Sequence, residues 1–219
     1  MNVQRISSQG PSEKLFSVGV TGHRPDGLKE ANQAILRKTI KNILLMLARS
    51  VGQHLSAVSM CVVSPLAEGA DRMVASEGLH SGYKLCCPLP FELEVYENDF
   101  IASNGRREFR ELLRKADLVI ELRGSHDTEQ DRTCSYMAVG RAVLSRSDIL
   151  IAIWDGRPAR GTGGTAQVVN QSLEMGIPVI WVHSQAPHPS TLLLPHSFDM
   201  DSSTARILEG IPLSGISVI

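Results

Sequence analysis

Short apolar runs alternate with longer amphipathic segments between residues 15 and 183. The runs are continuous, most clearly DILIAIW at 148–154, as is typical of strands buried on both faces of a parallel sheet. Between the runs, apolar residues recur at helical spacing, as Ile40, Leu44 and Leu47 do. The predicted strands are 15–20, 57–64, 84–89, 117–122, 148–154 and 177–183, and the predicted helices are 28–50, a segment ending near 80, 103–116, 133–147 and 165–175.

Six strands that alternate with helices predict a parallel sheet whose right-handed crossovers place helices on both faces. We therefore expect an α/β protein with three layers and a mainly parallel sheet of about six strands. Residues 1–14 are polar and are expected to form a flexible N-terminus before the domain at 15–185. Residues 186–219 are expected to be a C-terminal extension that packs on the domain or on a partner subunit, with a short helix near 203–208 and an edge strand near 215–219.

Composition and charge narrow the class of protein. The chain has 219 residues, of which 42% are hydrophobic and 21% charged, as in globular proteins that bury a core without disulfides. Its formal net charge of -1 lacks the basic surplus of nucleic-acid-binding proteins, so no nucleic-acid partner is expected. The sequence has no apolar stretch of bilayer-spanning length and no signal-peptide pattern, so we expect no membrane partner and a cytoplasmic location.

The cysteines and the acidic residues do not predict a metal site. The spacing of the four cysteines fits no zinc pattern, and Cys61, Cys86 and Cys87 lie in apolar runs, where we expect buried thiols. The segment 91–100 reads FELEVYENDF and is both acidic and aromatic. A metal site there is conceivable, but a solvated loop or short helix is the better interpretation because nothing in the sequence fixes a ligand geometry.

The loop after the fifth strand is the strongest candidate for ligand binding. Ligands of such sheets bind beyond the carboxyl ends of the strands, and this loop reads RPARGTGGT at 157–165. Glycines allow a close backbone approach, and the start of the following helix offers unpaired N–H groups and a partial positive charge, which suit a phosphate. Thr165 is expected either to cap that helix or to bind a phosphate oxygen. The predicted binding residues here are Gly161, Thr162, Gly163, Gly164 and Thr165.

The loop after the first strand reads TGHR and is a second candidate. Gly22 permits a close approach, while His23 and Arg24 are expected to meet a base, a ribose or a phosphate. A solvated or structural histidine is the alternative. The two tryptophans, Trp154 and Trp181, lie in predicted strands and are interpreted as core residues rather than as surfaces for base stacking.

The loop after the second strand carries two carboxylates beside small residues. Gly69 and Ala70 keep the start of a helix thin, and Glu68 and Asp71 are expected to bond ribose hydroxyls or to act as an acid or base. The alternative is that these carboxylates complement the helix dipole. Asp155 follows the fifth strand directly, and catalytic, ribose-binding and turn-forming roles are all open for it. No catalytic residue is assigned, and Glu68, Asp71 and Asp155 are weak candidates.

Three motifs together resemble the Rossmann-like SLOG superfamily, which includes the lonely-guy phosphoribohydrolases and the DprA/Smf and YpsA-like proteins. The matching pieces are VTGHR at 20–24, LAEGADRMVA at 66–75 and SDILIAIWDGRPARGTGGTAQVV at 147–169. The resemblance implies a Rossmann-like fold that binds a nucleotide or a nucleotide-derived ligand, such as an NAD-derived molecule, at the loops named above. Relatives of this shape are commonly dimers, so a homodimer is expected. No further cofactor is assigned.

The resemblance implies binding more strongly than hydrolysis. Lonely-guy enzymes carry a PGGxGTxxE run, and here Gly164 and Thr165 match its GT. Arg160 and Thr162 replace the proline and the second glycine, and Val168 stands where the run has its glutamate. We therefore expect a sensor or carrier of a phosphate-bearing nucleotide. The alternative is an enzyme that hydrolyses an N-glycosidic bond in a nucleotide.

Overall fold

The computed structural model describes residues 14–29, 31–100, 103–158, 164–209, 211 and 213–218. The strands are β1 Lys14–Gly22, β2 Val58–Val63, β3 Lys84–Leu89, β4 Leu118–Glu121, β5 Ile149–Trp154, β6 Val179–His183, β7 Ser190–Leu194 and β8 Gly215–Val218. The helices are α1 Gln33–His54, α2 Ala70–His80, α3 Leu93–Tyr96, α4 Ser103–Leu113, α5 Glu129–Leu144, α6 Thr165–Glu174 and α7 Ser203–Glu209. The strands form one sheet in the order β4-β3-β2-β1-β5-β6-β7-β8, which confirms the α/β class.

The two faces of the sheet bury separate sets of side chains, because successive residues of a strand point to opposite faces. In β5, Ile149, Ile151 and Ile153 belong to the core to which α1 and α2 contribute. Leu150 and Ala152 belong to a second core, to which α6 contributes. All five side chains are fully buried, as the continuous apolar pattern of this run predicts. Helices on both faces confirm the three layers.

The order of the strands turns at β1 and β5, which lie side by side and pair in parallel. The chain leaves β1 through α1 toward β2 on one side, and it leaves β5 through α6 toward β6 on the other. Connections that diverge from neighbouring strands leave a crevice beyond the carboxyl ends, where ligands of open α/β sheets bind. The topology therefore predicts a ligand site beyond the carboxyl ends of β1 and β5.

The sheet has eight strands among the described residues, two more than the six predicted for residues 15–185. The additional strands, β7 and β8, lie in the segment after residue 185. Strand β7 pairs antiparallel with β6, because the turn between them is too short for a parallel crossover. Prolines 187, 189 and 195 flank β7 and conceal its strand pattern in the sequence. Helix α7 and the edge strand β8 agree with the elements expected there.

Two elements differ in their bounds from the predictions. Helix α1 begins at Gln33 rather than near residue 28, because Pro25–Leu28 forms a separate 3-10 turn. Asn32 fixes the start of α1, since its side chain accepts a hydrogen bond from the Ile35 N–H at 3.2 Å. The segment 93–99 forms α3 and a second 3-10 turn.

The cysteines agree with the expectation for buried thiols. Cys61, Cys86 and Cys87 are buried and unpaired, and burial raises the pKa of each thiol. Cys134 is exposed. As for membranes, none of the helices in the described ranges has the length and apolar character needed to cross one.

Candidate functional site

A cleft of about 850 Å³ opens beyond the carboxyl ends of β1 and β5. Its walls come from the β1–α1 and β2–α2 loops on one side and from α5 and the start of α6 on the other. The expected site residues that line it are Gly22, His23, Arg24, Asp71, Asp155, Gly164 and Thr165. Residues outside the predicted binding set also line it, among them Lys29, Thr133, Tyr136, Gly140, Trp154, Arg157 and Gln185.

Two glycines let the loops after β1, β2 and β5 interlock at the floor of the cleft. A Cβ atom at Gly22 would lie 2.4 Å from the Cβ of Ala70 and 2.7 Å from the carbonyl oxygen of Ile153. Gly69 has a φ of +99°, and a Cβ atom there would lie 2.4 Å from the carbonyl oxygen of His23. That carbonyl accepts a hydrogen bond from the Ala70 N–H at 3.1 Å. Both positions therefore require glycine for close packing.

His23 and Asp155 form the contact that joins the first and fifth loops. The Asp155 N–H donates to Nε2 of His23 at 3.2 Å, and Oδ1 of Asp155 lies 3.2 Å from the same nitrogen. The main-chain amide and the side-chain carboxylate of Asp155 therefore both meet Nε2 of His23, and this contact holds the first and fifth loops together.

Asp155 is held in its ionised form. Burial works to raise the pKa of Asp155, but the N–H of Arg157, His23 and the Arg157 guanidinium outweigh it, and the pKa lies below its ordinary value. The Arg157 N–H donates to Oδ1 at 3.1 Å, and Nε of Arg157 lies 3.6 Å from Oδ2. The structure thus brings a turn-forming hydrogen bond and a cleft-facing carboxylate together in one residue.

A set of polar side chains beside the cleft, which we call the polar wall, comprises Arg24, Asp71 and Tyr136, which line it, and Tyr96 and Asp99, which do not. The hydroxyl of Tyr136 donates to Asp99. The segment 91–100 therefore contains a short helix that packs against α5, one of the two forms expected for it, and is not a solvated loop. Burial works to lower the pKa of the Arg24 guanidinium, but the phenolic and acidic groups of the wall outweigh it and raise that pKa. Arg24 therefore presents a permanent positive charge to the cleft.

Asp71 is the buried acid of this wall, with only 6% of its surface exposed. Burial raises the pKa of Asp71 to about 7, although Arg24, a backbone hydrogen bond from Ala67 and Arg72 act in the opposite direction. A carboxyl group that titrates near neutral pH at the edge of a cleft is suited to donate or accept a proton. Asp71 can therefore exchange a proton near neutral pH, whereas Asp155, whose pKa is lowered, stays ionised there.

Three of the residues expected to bind ligand near the start of α2 do not line the cleft, although Pro65 and Ala67 of the same loop do. Glu68, Gly69 and Ala70 are not among its lining residues. Oε1 of Glu68 lies 3.7 Å from Nη1 of Arg72, which is itself 2% exposed. The Arg72 guanidinium donates to the carbonyl oxygen of Leu66 at 2.8 Å and packs over the ring of Phe100 at 4.3 Å. Arg72 thus anchors this loop from inside the protein.

The start of α6 opens on the cleft. Gly164 is the N-cap residue, Thr165 is the first residue of the helix, and no side chain of the described residues caps it. Thr165 is therefore not the cap, one of the two roles expected for it. The first turn carries no acidic residue that would neutralise its partial positive charge. The expected binding residues Gly161, Thr162 and Gly163 lie outside the described residues.

Sequence reasoning missed two side chains that line the cleft. Tyr136 projects from the middle of α5, a helix whose amphipathic pattern gives no sign of a ligand. Trp154 was expected in the core, and it does pack on the core, but it is only half-buried and also lines the cleft. The reason is its place as the last residue of β5, where the strand emerges from the covering helices. Its position at the end of a predicted strand is the sequence feature that could have shown that Trp154 reaches the cleft.

Comparison with known proteins finds similarity in fold. No family model matches the sequence, and no curated protein matches it. DNA processing protein A (DprA) from Streptococcus pneumoniae is similar in structure, with a TM-score of 0.51 and 17% identity. The match covers 94% of this chain but 58% of that protein, so this chain spans little more than half of its length. This likeness confirms the resemblance to SLOG proteins at the level of the fold.

Two further solved structures have lower TM-scores. DNA processing protein A from Helicobacter pylori, described for its single-stranded DNA binding mode, has a TM-score of 0.48 and 18% identity over 91% of this chain and 74% of that one. The molybdenum cofactor carrier protein MCP from Chlamydomonas reinhardtii has a TM-score of 0.41 and 17% identity over 78% of this chain and 79% of that one.

The expectation that excluded a nucleic-acid partner is wrong. It rested on the formal net charge, yet a DNA processing protein shares this fold. Net charge averages over the whole surface, whereas a nucleic acid meets only the local field of the surface that it contacts. Here Arg24, Lys29 and Arg157 all line one cleft, although the chain as a whole is close to neutral.

Proposed function

We propose that the protein binds a phosphate-bearing nucleotide or a nucleotide-derived ligand in this cleft, as a sensor or carrier. The observation that carries the proposal is the start of α6, at Gly164 and Thr165, which no side chain of the described residues caps and which faces a cleft at the point where the strand order turns. The cleft volume of about 850 Å³ lies within the usual range for small-molecule and cofactor sites.

The electrostatics of the cleft support an anionic ligand at this end. The first N–H groups of a helix lack intrahelical partners and carry a partial positive charge, so a phosphate there satisfies both. Arg157 lies in the same loop, and Arg24 faces the cleft from the opposite side. The polar wall beyond Arg24 offers donors and acceptors of the kind that a ribose or a base would meet.

A glycine substitution tests the proposal. We expect Gly164→Val to abolish binding of AMP and of NAD, because a branched side chain at the N-cap obstructs access to the free N–H groups. The backbone at Gly164 is extended, with a φ of -79°, so valine does not strain it and the fold should survive. Isothermal titration calorimetry measures the affinity, and circular dichroism checks the fold.

The matched control is Gly52→Val, near the far end of α1, where an added Cβ meets no atom within 4 Å. This variant should bind as the wild type does. Unchanged affinity in Gly164→Val would refute the proposal. A single-stranded oligonucleotide added as a competitor shows whether DNA occupies the same cleft, because it would then displace the nucleotide and do so less well at high salt.

A second function, hydrolysis of an N-glycosidic bond in a nucleotide, is favoured by the protonation state of Asp71. A carboxyl group with a pKa of about 7 is partly protonated at neutral pH and is suited to donate a proton to a departing base. Incubation with nucleoside monophosphates and NAD, followed by chromatography of free bases, tests it. Base release that disappears in Asp71→Asn would establish the enzyme, and no release in the wild type would leave the binding function.

A further inference from the structure

The chain has two tryptophans, and they contact each other at the edge of the cleft. Trp154 is the last residue of β5 and lines the cleft, while Trp181 lies beside it on β6. Their ring centroids are 5.5 Å apart and the rings are tilted by 44°. The Trp154 indole is half-buried, so part of a large apolar ring stays open at the wall of the cleft.

The Trp154 ring is held in place from two sides. Its Nε1 donates to the carbonyl oxygen of Arg157 at 2.8 Å, and Trp181 packs against it while donating from its own Nε1 to the Trp154 carbonyl at 3.0 Å. The loop runs close over Trp181 at Gly156, where a Cβ atom would lie 3.0 Å from the ring. The indole is therefore fixed before any ligand arrives, which reduces the entropy lost on binding.

The other aromatic side chains near the cleft are committed to other contacts. The hydroxyl of Tyr136 donates to Asp99, and its ring meets that of Phe91 edge to face at 5.7 Å. Tyr96 is 1% exposed and packs against Phe100. Trp154 and Tyr136 are the phenolic or indole rings that line the cleft among the described residues, and Trp154 offers the larger apolar surface.

We propose that Trp154 is a stacking surface for an aromatic base, so that the ligand is a nucleotide with its base in place rather than a simple sugar phosphate. The inference rests on the proposed function, because the phosphate is taken to lie at the start of α6. Trp154 and Gly164 flank the same loop after β5 and line the same cleft, so one ligand can reach both.

The test compares ligands with and without a base. Calorimetry measures the affinity of the wild type for AMP, GMP, CMP and UMP one by one, and for ribose 5-phosphate. Stacking of a base on an aromatic ring stabilises binding by about 1–3 kcal/mol, which corresponds to about 5- to 150-fold in affinity. The tightest nucleotide should therefore bind at least about 5-fold more tightly than ribose 5-phosphate does.

Variants assign that preference to one ring. Trp154→Leu should reduce the preference for the nucleotide over ribose 5-phosphate to less than about 2-fold. Trp154→Phe loses the same Nε1 hydrogen bond to the Arg157 carbonyl but should retain part of the preference, because a ring remains. Equal binding of nucleotide and sugar phosphate by the wild type, or a preference that persists in Trp154→Leu, would overturn the inference and leave the proposed function standing. Failure of all five ligands to bind the wild type would overturn both.

A fluorescence measurement does not depend on any change at position 154. In Trp181→Phe the single remaining indole is that of Trp154, so its emission reports directly on this wall of the cleft. The tightest nucleotide should quench and shift this emission at saturation, whereas ribose 5-phosphate should leave it unchanged. If calorimetry shows that a nucleotide binds this variant but the emission of Trp154 does not change, the inference is overturned.

Discussion

The burial of Asp71 leads to a quantitative prediction about stability and pH. In the folded protein the pKa of Asp71 is raised to about 7, against an ordinary value of 3.8. The folded state therefore holds a proton that the unfolded chain releases. The resulting stabilisation is complete below pH 3.8 and is lost as the pH rises through 7. Ionised Asp71 opposes folding, and Asp71→Asn, which keeps the shape without the charge, removes this pH dependence.

The magnitude follows from the two pKa values. Between pH 5 and pH 8 the folded protein releases the proton that the unfolded chain has already lost, so the wild type should lose about 2–3 kcal/mol of stability relative to Asp71→Asn. Asp71 is almost wholly buried, so solvent does little to screen this effect. Urea denaturation of both proteins at pH 5, 6, 7 and 8 measures the difference in the free energy of unfolding.

Asp26→Asn is the matched control. Asp26 is exposed, and its pKa is lowered by a hydrogen bond from Lys29 and by the charge of Lys29. Its stability difference from the wild type should stay constant from pH 5 to pH 8, because this carboxyl group remains ionised throughout. A difference for Asp71→Asn that is also independent of pH would refute the reasoning. A wild type that gains stability as the pH rises would show that Arg24 and Arg72 outweigh burial.

Three further changes have defined outcomes. Gly69→Ala should destabilise the fold by about 1–3 kcal/mol in thermal denaturation, because φ is +99° and the added Cβ would lie 2.4 Å from a carbonyl oxygen, while Gly52→Ala inside α1 should stabilise it slightly. Arg72→Met should cost about 2 kcal/mol or more in urea denaturation, since two buried carbonyls lose their donor, and an unchanged midpoint would contradict this. Asp155→Asn should destabilise the protein at neutral pH, but this loss should shrink as the pH falls below 3.8 and disappear once the pH passes through the folded-state pKa of Asp155, which is depressed below that value.

The sequence predicts the layers and the floor of the cleft because those features follow from local pattern. Apolar runs give the parallel strands, and parallel strands bring the residues at their carboxyl ends together. For this reason His23 and Asp155, which are 132 residues apart and were each expected at the crevice, lie at the same edge of the sheet, although their contact was not predicted. The sequence did not predict strand β7, because the prolines on both sides of it interrupt the apolar pattern that marks the other strands.

The polar wall could not be predicted in the same way. Asp99 lies after α3 and Tyr136 lies in the middle of α5, so their contact depends on how two separate crossovers pack over the sheet. Burial of Asp71, which changes its chemistry, depends on the same packing. A single sequence records the residue types but not these distances. The homodimer, the cytoplasmic location and the ligand contacts of Gly161, Thr162 and Gly163 stay predictions.

The central claim is that the start of α6 receives a phosphate. A crystal structure of the protein with AMP tests it most directly. The account predicts that phosphate oxygens accept hydrogen bonds from the backbone N–H groups at Thr165 and Ala166, with the nucleoside extending across the cleft. A nucleotide bound elsewhere, or one in this cleft whose phosphate points away from α6, would contradict it.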